Sequence, residues 1–157
     1  VYAGRVGRGD RGRPAGAAAL ARARLRGAGS PAALQAAIAA VHLESARPED
    51  TDWTQIVQLY DLLESVQPSP VVSLNRAVAV AMADGPKPAL ELVEALAATN
   101  DLENYHLLHA ARADLLRRLG SLDEAAKSYA RALELVTNES ERRFLQRRLR
   151  EVQPPAA

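Results

Sequence analysis

No cysteine occurs in the 157 residues, which excludes a disulfide framework, a thiolate nucleophile and a cysteine-ligated metal cluster. Aromatic residues make up only 4%, too few for the stacked platforms that hold single-stranded nucleic acid. No apolar run approaches the roughly 18–20 residues that span a bilayer. The N-terminus also lacks the uninterrupted apolar core of a signal peptide. Gly7-Arg8-Gly9 and its neighbours are low-complexity sequence, whereas a dinucleotide fingerprint needs a preceding strand. No Ser-His-Asp order, phosphate-cradling loop or metalloprotease helix stands out, and no set of titratable groups converges. These absences lead us to expect a soluble, cytoplasmic protein that is not an enzyme, has no cofactor and does not engage a membrane.

What is present is apolar, alanine-rich and unevenly charged. Hydrophobic residues reach 48%, and the small alanines among them suit close helix–helix packing. The net charge of +1 hides an asymmetry. Residues 1–30 hold seven arginines (Arg5, Arg8, Arg11, Arg13, Arg22, Arg24, Arg26) against Asp10, while residues 31–157 carry 13 basic and 18 acidic side chains. Residues 1–29 are rich in arginine, alanine and glycine and read as a loosely ordered leader, with a short helix conceivable at 17–26. A basic arm of this kind can neutralise phosphates, although only Tyr2 offers it an aromatic partner.

Ordered structure is expected over 30–153. Gly85 and Gly120 stand 35 residues apart between apolar-periodic stretches, and Thr51 takes the equivalent place upstream. Helix, tight turn and helix at a period of about 34 residues is the signature of a tetratricopeptide-type array. The stripes Leu34-Ala37-Ile38-Val41, Trp53-Ile56-Leu59-Tyr60-Leu63 and Val72-Leu74-Ala77-Val78-Ala81 each recur at three- and four-residue spacing. Leu90-Val93-Leu96, Tyr105-Leu108-Ala111-Leu115, Ala125-Tyr129-Ala132-Leu133 and Phe144-Leu145-Leu149-Val152 continue the pattern. Ser30-Pro31 and Ser69-Pro70 pair an N-cap with proline at the first helical position. Asn100 with Glu103, Ser121 with Glu124 and Asn138 with Glu141 have capping-box spacing. Seven helices follow, six of them paired. The expected fold is an all-α, right-handed solenoid of tetratricopeptide-like helix pairs with a C-terminal capping helix. Trp53, Tyr60, Leu74, Leu108, Leu115, Tyr129 and Phe144 are its expected core. The third pair fits the repeat frame best, with Ala125 as the small residue and Tyr129 as the aromatic. The second is degenerate, with Leu90 and Glu94 in those places.

Few polar constellations stand out. His106 and His109 share a helical face with Glu103, but typical zinc sites need three or four ligands with outer partners, so no metal site is expected. Asn75 and Arg76 interrupt an apolar helix, where an unpaired polar group costs roughly 1–3 kcal/mol. With Asp50 and Asp52 they form a candidate polar network between the first pair and the second. Arg142, Arg143, Arg147 and Arg148 line the last helix opposite its apolar stripe. They are a candidate basic contact face toward an acidic protein or DNA phosphates, although a capping helix must be polar outside in any case.

Several strings together resemble one family. They are Leu34-Gln35-Ala36-Ala37-Ile38-Ala39-Ala40-Val41-His42, Asp50-Thr51-Asp52-Trp53, Ser69-Pro70-Val71-Val72 and Leu74-Asn75-Arg76-Ala77-Val78-Ala79. Tyr105-His106, Ala110-Ala111-Arg112-Ala113-Asp114-Leu115-Leu116, Ala132-Leu133-Glu134-Leu135 and Glu141-Arg142-Arg143-Phe144-Leu145 follow in order. Over roughly residues 33–152 the chain is similar to the long tetratricopeptide-like C-terminal extension of bacterial extracytoplasmic-function RNA polymerase sigma factors. The resemblance implies a transcription-initiation context, a regulatory or interaction role, and a protein partner: the sigma modules of the same factor, or RNA polymerase. The modules that bind core polymerase and promoter DNA precede this extension in the family and have no counterpart here, so this chain alone is not expected to initiate transcription. Gly27-Ala28-Gly29-Ser30-Pro31-Ala32 stands where the family has an aromatic-containing linker. The competing expectation is a free-standing repeat adaptor with an unrelated protein partner.

Overall fold

The structure, a computed structural model, describes residues 30–155. The arginine-rich stretch and the short helix considered at 17–26 lie outside the described residues. Seven α-helices are described: α1 (Pro31–Leu43), α2 (Trp53–Val66), α3 (Pro70–Asp84), α4 (Pro86–Ala98), α5 (His106–Arg118), α6 (Leu122–Leu135) and α7 (Glu139–Val152). A 3-10 turn, Pro48–Asp50, precedes α2, and no strand occurs among the described residues. The chain divides into two compact units, Val1–Pro68 and Ser69–Ala157.

In the first unit α1 packs on α2. Ser30 is extended and its hydroxyl accepts from the Ala33 N–H, with Pro31 following at the first helical position. Leu34, Ala37, Ile38 and Val41 are buried, as are Ile56, Leu59 and Leu63. Asp52 caps α2 by accepting from the Gln55 N–H at 3.1 Å. Trp53 and Tyr60, expected in the core, are half-buried. Burial pushes the Tyr60 phenol above its ordinary pKa, because the anion loses hydration.

In the second unit consecutive helices pack in sequence from α3 to α7, and α3 also touches α5. Alanine lets them approach: Ala77, Ala89, Ala113, Ala125 and Ala132 have no exposed surface. Around the last three helices Tyr129 packs with Leu116, Val136, Leu145 and Val152. The second pair looks degenerate in sequence for a simple reason. Gly85 caps both α3 and α4, whereas Ser121 follows Gly120 before α6 begins. The frame therefore slips by one residue, and Ala89 and Val93, both fully buried, do the work of Ala125 and Tyr129. Glu94 is released to the surface.

Two expectations are corrected here. Asn100 and Glu103 do not cap α5. Asn100 adopts a left-handed φ of 62°, which asparagine tolerates better than most residues. Its carbonyl accepts from the Glu103 N–H, the turn buries Leu102, and α5 starts only at His106. Phe144 is not core but 47% exposed. Leu145, Leu149 and Val152 lie along one line of α7, and a step of about 100° per residue carries Phe144 to its flank.

Candidate interaction surfaces

The outer side of α7 is densely charged, with Glu139, Glu141, Arg143, Arg147, Arg150 and Glu151 exposed. Asn138 caps the helix by accepting from the Glu141 N–H at 3.0 Å. Glu141 does not return to the cap but meets His106 Nε2 at 2.8 Å, tying α7 to α5. Of the four candidate arginines, two are half-buried and two exposed. Arg142 donates to the Val136 carbonyl at 2.8 Å, and Arg148 pairs with Glu151 at 2.9 Å. Arg143, with a side chain 75% exposed, stays 3.6 Å from Glu139, and Arg147 is exposed. Two guanidinium groups approach the Phe144 ring, Arg148 at 5.3 Å and Arg147 at 6.0 Å, within reach of a cation–π attraction. The result is an aromatic ring framed by arginines, the residue types that dominate binding energy at protein interfaces.

A polar seam that sequence reasoning missed joins α4, α5 and α6. Arg112 on α5 donates to Glu94 Oε1 on α4 at 2.6 Å and to Ser128 Oγ on α6 at 2.6 Å. Its other nitrogen lies 4.0 Å from Glu124. One planar fork thus joins three helices. The available signal was Ser128, a lone polar residue in the stripe of Ala125, Tyr129 and Ala132. Nearby, Asp114 accepts from Arg117 at 2.7 Å and holds that guanidinium more firmly protonated. Tyr129 is 1% exposed, and burial raises its pKa. Arg117 acts on its ionisation, yet the hydroxyl has no hydrogen bond of good geometry. On the surface Lys127 holds the Glu124 carboxyl below its ordinary pKa.

The histidine pair is spent separately: His109 Nε2 contacts the Glu103 carbonyl at 2.7 Å, and His106 contacts Glu141. Among the described residues no group of three or more His, Asp or Glu is placed to hold a metal ion. No helix among them is long and apolar enough to cross a membrane.

The candidate network of Asp50, Asp52, Asn75 and Arg76 draws on both units. Asp50 meets Arg47 at 3.2 Å, and Asp52 serves as the α2 cap. On α3 Asn75 is exposed and Arg76 half-buried. Asn75 sits among the exposed apolar residues Val71, Val78 and Met82, which helical spacing places on one face.

The first unit carries a cleft of about 410 Å³ lined by His42, Ser45, Ala46, Arg47, Pro48, Thr51 and Trp53. The indole is held in place: Trp53 Nε1 donates to the Pro48 carbonyl at 3.3 Å, and His42 meets it edge-on, 5.2 Å between centroids. Ser45 and Thr51 share a hydroxyl hydrogen bond of 2.8 Å, closing the turn.

No family model matches the chain. It is 48% identical over 119 residues to an uncharacterized protein of Rhizobium meliloti (strain 1021), covering 76% of this chain. The chain spans only 28% of that relative's length. Among solved structures it is similar to the first TPR domain of the human RPAP3 protein, with a TM-score of 0.58 and 22% identity. That match covers 80% of this chain and 97% of the other. The fold is thus an all-α, tetratricopeptide-like array of helix pairs.

Proposed function

We propose that residues 30–153 are the C-terminal helical-repeat extension of a bacterial extracytoplasmic-function sigma factor, working as a regulatory and protein-interaction module. The observation that carries this reading is the order of the family-like strings. Leu34–His42 falls within α1, Asp50–Trp53 at the start of α2, Leu74–Ala79 in α3, Ala110–Leu116 in α5 and Glu141–Leu145 in α7. A repeat array has no need of these particular strings to stack. The Rhizobium meliloti relative extends well beyond the shared 119 residues, which supports a module acting within a longer protein. The partner in this reading is polypeptide: the polymerase-binding modules of the same factor, or polymerase itself. Phe144 and the outward Arg143 and Arg147 are its contact residues. The second unit holds twelve basic and twelve acidic side chains, which disfavours DNA, since nucleic-acid surfaces carry a clear excess of cations.

A chimaera tests the proposal. The matched segment of the relative is replaced by residues 33–152 of this chain, and core-polymerase binding and run-off transcription are measured. The chimaera should support transcription, and deletion of the segment should abolish it. A relative that binds no core polymerase at all overturns the reading.

A further inference from the structure

Every carboxylate on α7 already has a partner. Glu139 lies 3.7 Å from Arg142 and 3.6 Å from Arg143, Glu141 meets His106 at 2.8 Å, and Glu151 meets Arg148 at 2.9 Å. The helix carries five arginines against these three glutamates, and Arg147 and Arg150 are left over. Both are exposed, and neither meets a carboxylate among the described residues. Arg147 instead approaches the Phe144 ring at 6.0 Å. Arg143, Arg147 and Arg150 stand at i, i+4 and i+7, which puts them on one stripe about 10 Å long. Phe144 flanks that stripe and stays 47% exposed.

We propose that this stripe docks an acidic helix of a protein partner. Carboxylates at three- and four-residue spacing on that helix pair with Arg143, Arg147 and Arg150, and an apolar side chain beside them covers Phe144. The inference rests on the reading of α7 as the contact surface given above, and it names the chemistry of what binds there.

Charge, spacing and the exposed ring each select this occupant. Two guanidiniums without a carboxylate call for acids from outside, and arginine's planar fork engages a carboxylate bidentately. Along α7 the steps from Arg143 to Arg147 and from Arg147 to Arg150 are rises of about 6.0 and 4.5 Å. Side chains on a second helix recur at the same rises, so one helix laid along α7 meets all three arginines in register. A strand repeats its same-face side chains about every 6.6 Å and falls out of step by the third. Phe144 favours polypeptide over nucleic acid, because a phosphate backbone offers nothing apolar to cover the ring. Aromatic and arginine side chains are also the types that anchor protein interfaces.

Phe144 is the sole phenylalanine, so the full chain produced with 4-fluorophenylalanine carries one fluorine, and it lies in the proposed site. Its resonance is followed while a probe is added: an alanine-rich helical peptide of about 18 residues, long enough to hold a helix, with Glu at i, i+3 and i+7 and Leu beside them. A saturable shift is expected with a midpoint below about 1 mM, the weak end of specific affinities. The same peptide with Gln in place of Glu should leave the line unmoved. Arg147→Gln with Arg150→Gln should weaken binding about tenfold, since two exposed ion pairs are lost. Lys87→Gln with Arg118→Gln removes as much charge from exposed positions outside α7 and should change binding less than about twofold. Equal weakening by the two double variants overturns the proposal, because binding then follows net charge alone. A line that does not move overturns it too, as does a tighter response to a DNA duplex of similar length, which makes the stripe a phosphate contact. Failure of the relative to bind core polymerase leaves this response untouched, so the two readings fail separately.

Discussion

Arg112 is the residue whose loss should cost the second unit most for its size. Its side chain is 26% exposed and bonds at 2.6 Å to a half-exposed carboxylate, Glu94, and to Ser128, which is 4% exposed. A hydrogen bond to a charged group contributes about 1.5–3 kcal/mol when buried. Screening reduces the Glu94 share to about 0.5–1 kcal/mol. The Ser128 share stays near 1–2 kcal/mol, since truncation leaves its hydroxyl buried without a partner. Arg112→Met keeps the aliphatic stem and should therefore cost about 2–3 kcal/mol, or about 10–20 °C for a unit of this size. Urea denaturation followed by circular dichroism reads this as a lower midpoint at an unchanged slope. Arg112→Lys should recover less than half, because an ammonium cannot span both partners. Ser128→Ala alone should cost about 1 kcal/mol, and the double variant about 1 kcal/mol less than the sum of the singles. If Arg112→Met lowers stability by less than about 0.5 kcal/mol, the seam does not hold the three helices together.

Other outcomes follow from the same geometry. Tyr129→Phe should change stability by less than about 1 kcal/mol, since its hydroxyl makes no hydrogen bond, while Tyr129→Ala should cost about 3–5 kcal/mol; paired urea melts separate ring from hydroxyl. Burial raises the folded pKa of Tyr60 and Tyr129, so the folded chain holds their protons more tightly than the unfolded one. Their contribution is complete below pH 10 and is lost as pH rises through the folded values; melts from pH 8 to 11.5 should show the decline, and Tyr60→Phe should flatten it. Gly85→Ala should cost about 1–3 kcal/mol, because φ 97° with ψ 174° is almost confined to glycine. No neighbour lies within 4 Å of an added Cβ, so a smaller thermal shift would refute strain as the reason for glycine there. Phe144→Ala should leave the melting temperature within about 3 °C, since an exposed ring contributes little to the core.

Most helices were legible because their signals were local. The buried stripe of α1 stands at the spacing the sequence shows, that of α3 keeps Val72, Leu74, Ala77 and Ala81 but leaves Val78 exposed, and Ser30, Asp52 and Asn138 cap as their side chains dictate. What failed depended on geometry that spacing does not encode. Asn100 and Glu103 have cap spacing, but a left-handed residue and the buried Leu102 turned the chain first. Phe144 shares an apolar run with Leu145, and only the direction of α7 decides which is covered. The second repeat hid behind a one-residue slip that moved Ala89 and Val93 off the frame. The surfaces were legible only as composition. Nothing in the arginine string singles out Arg142, because the Val136 carbonyl that it meets is presented by the turn before α7; the Arg148–Glu151 pair, three residues apart on one helix, was within reach of the spacing.

The joint at Gly85 governs where this array can change length. One residue ends α3 and begins α4, so no slack separates the two helices. A single inserted residue would turn α4 by about 100° and advance it about 1.5 Å, rotating Ala89 and Val93 out of the packing face and Pro86 away from its place at the first helical position. Between α4 and α5, residues 99–105 form an irregular turn held by the buried Leu102, by backbone bonds and by side-chain bonds of Thr99, Asn104 and His109. An inserted residue there falls in irregular backbone, where loops tolerate length changes better than helices do. The period of 35 residues is thus the sum of a rigid joint and an elastic one, and drift in repeat length accumulates on the elastic side alone.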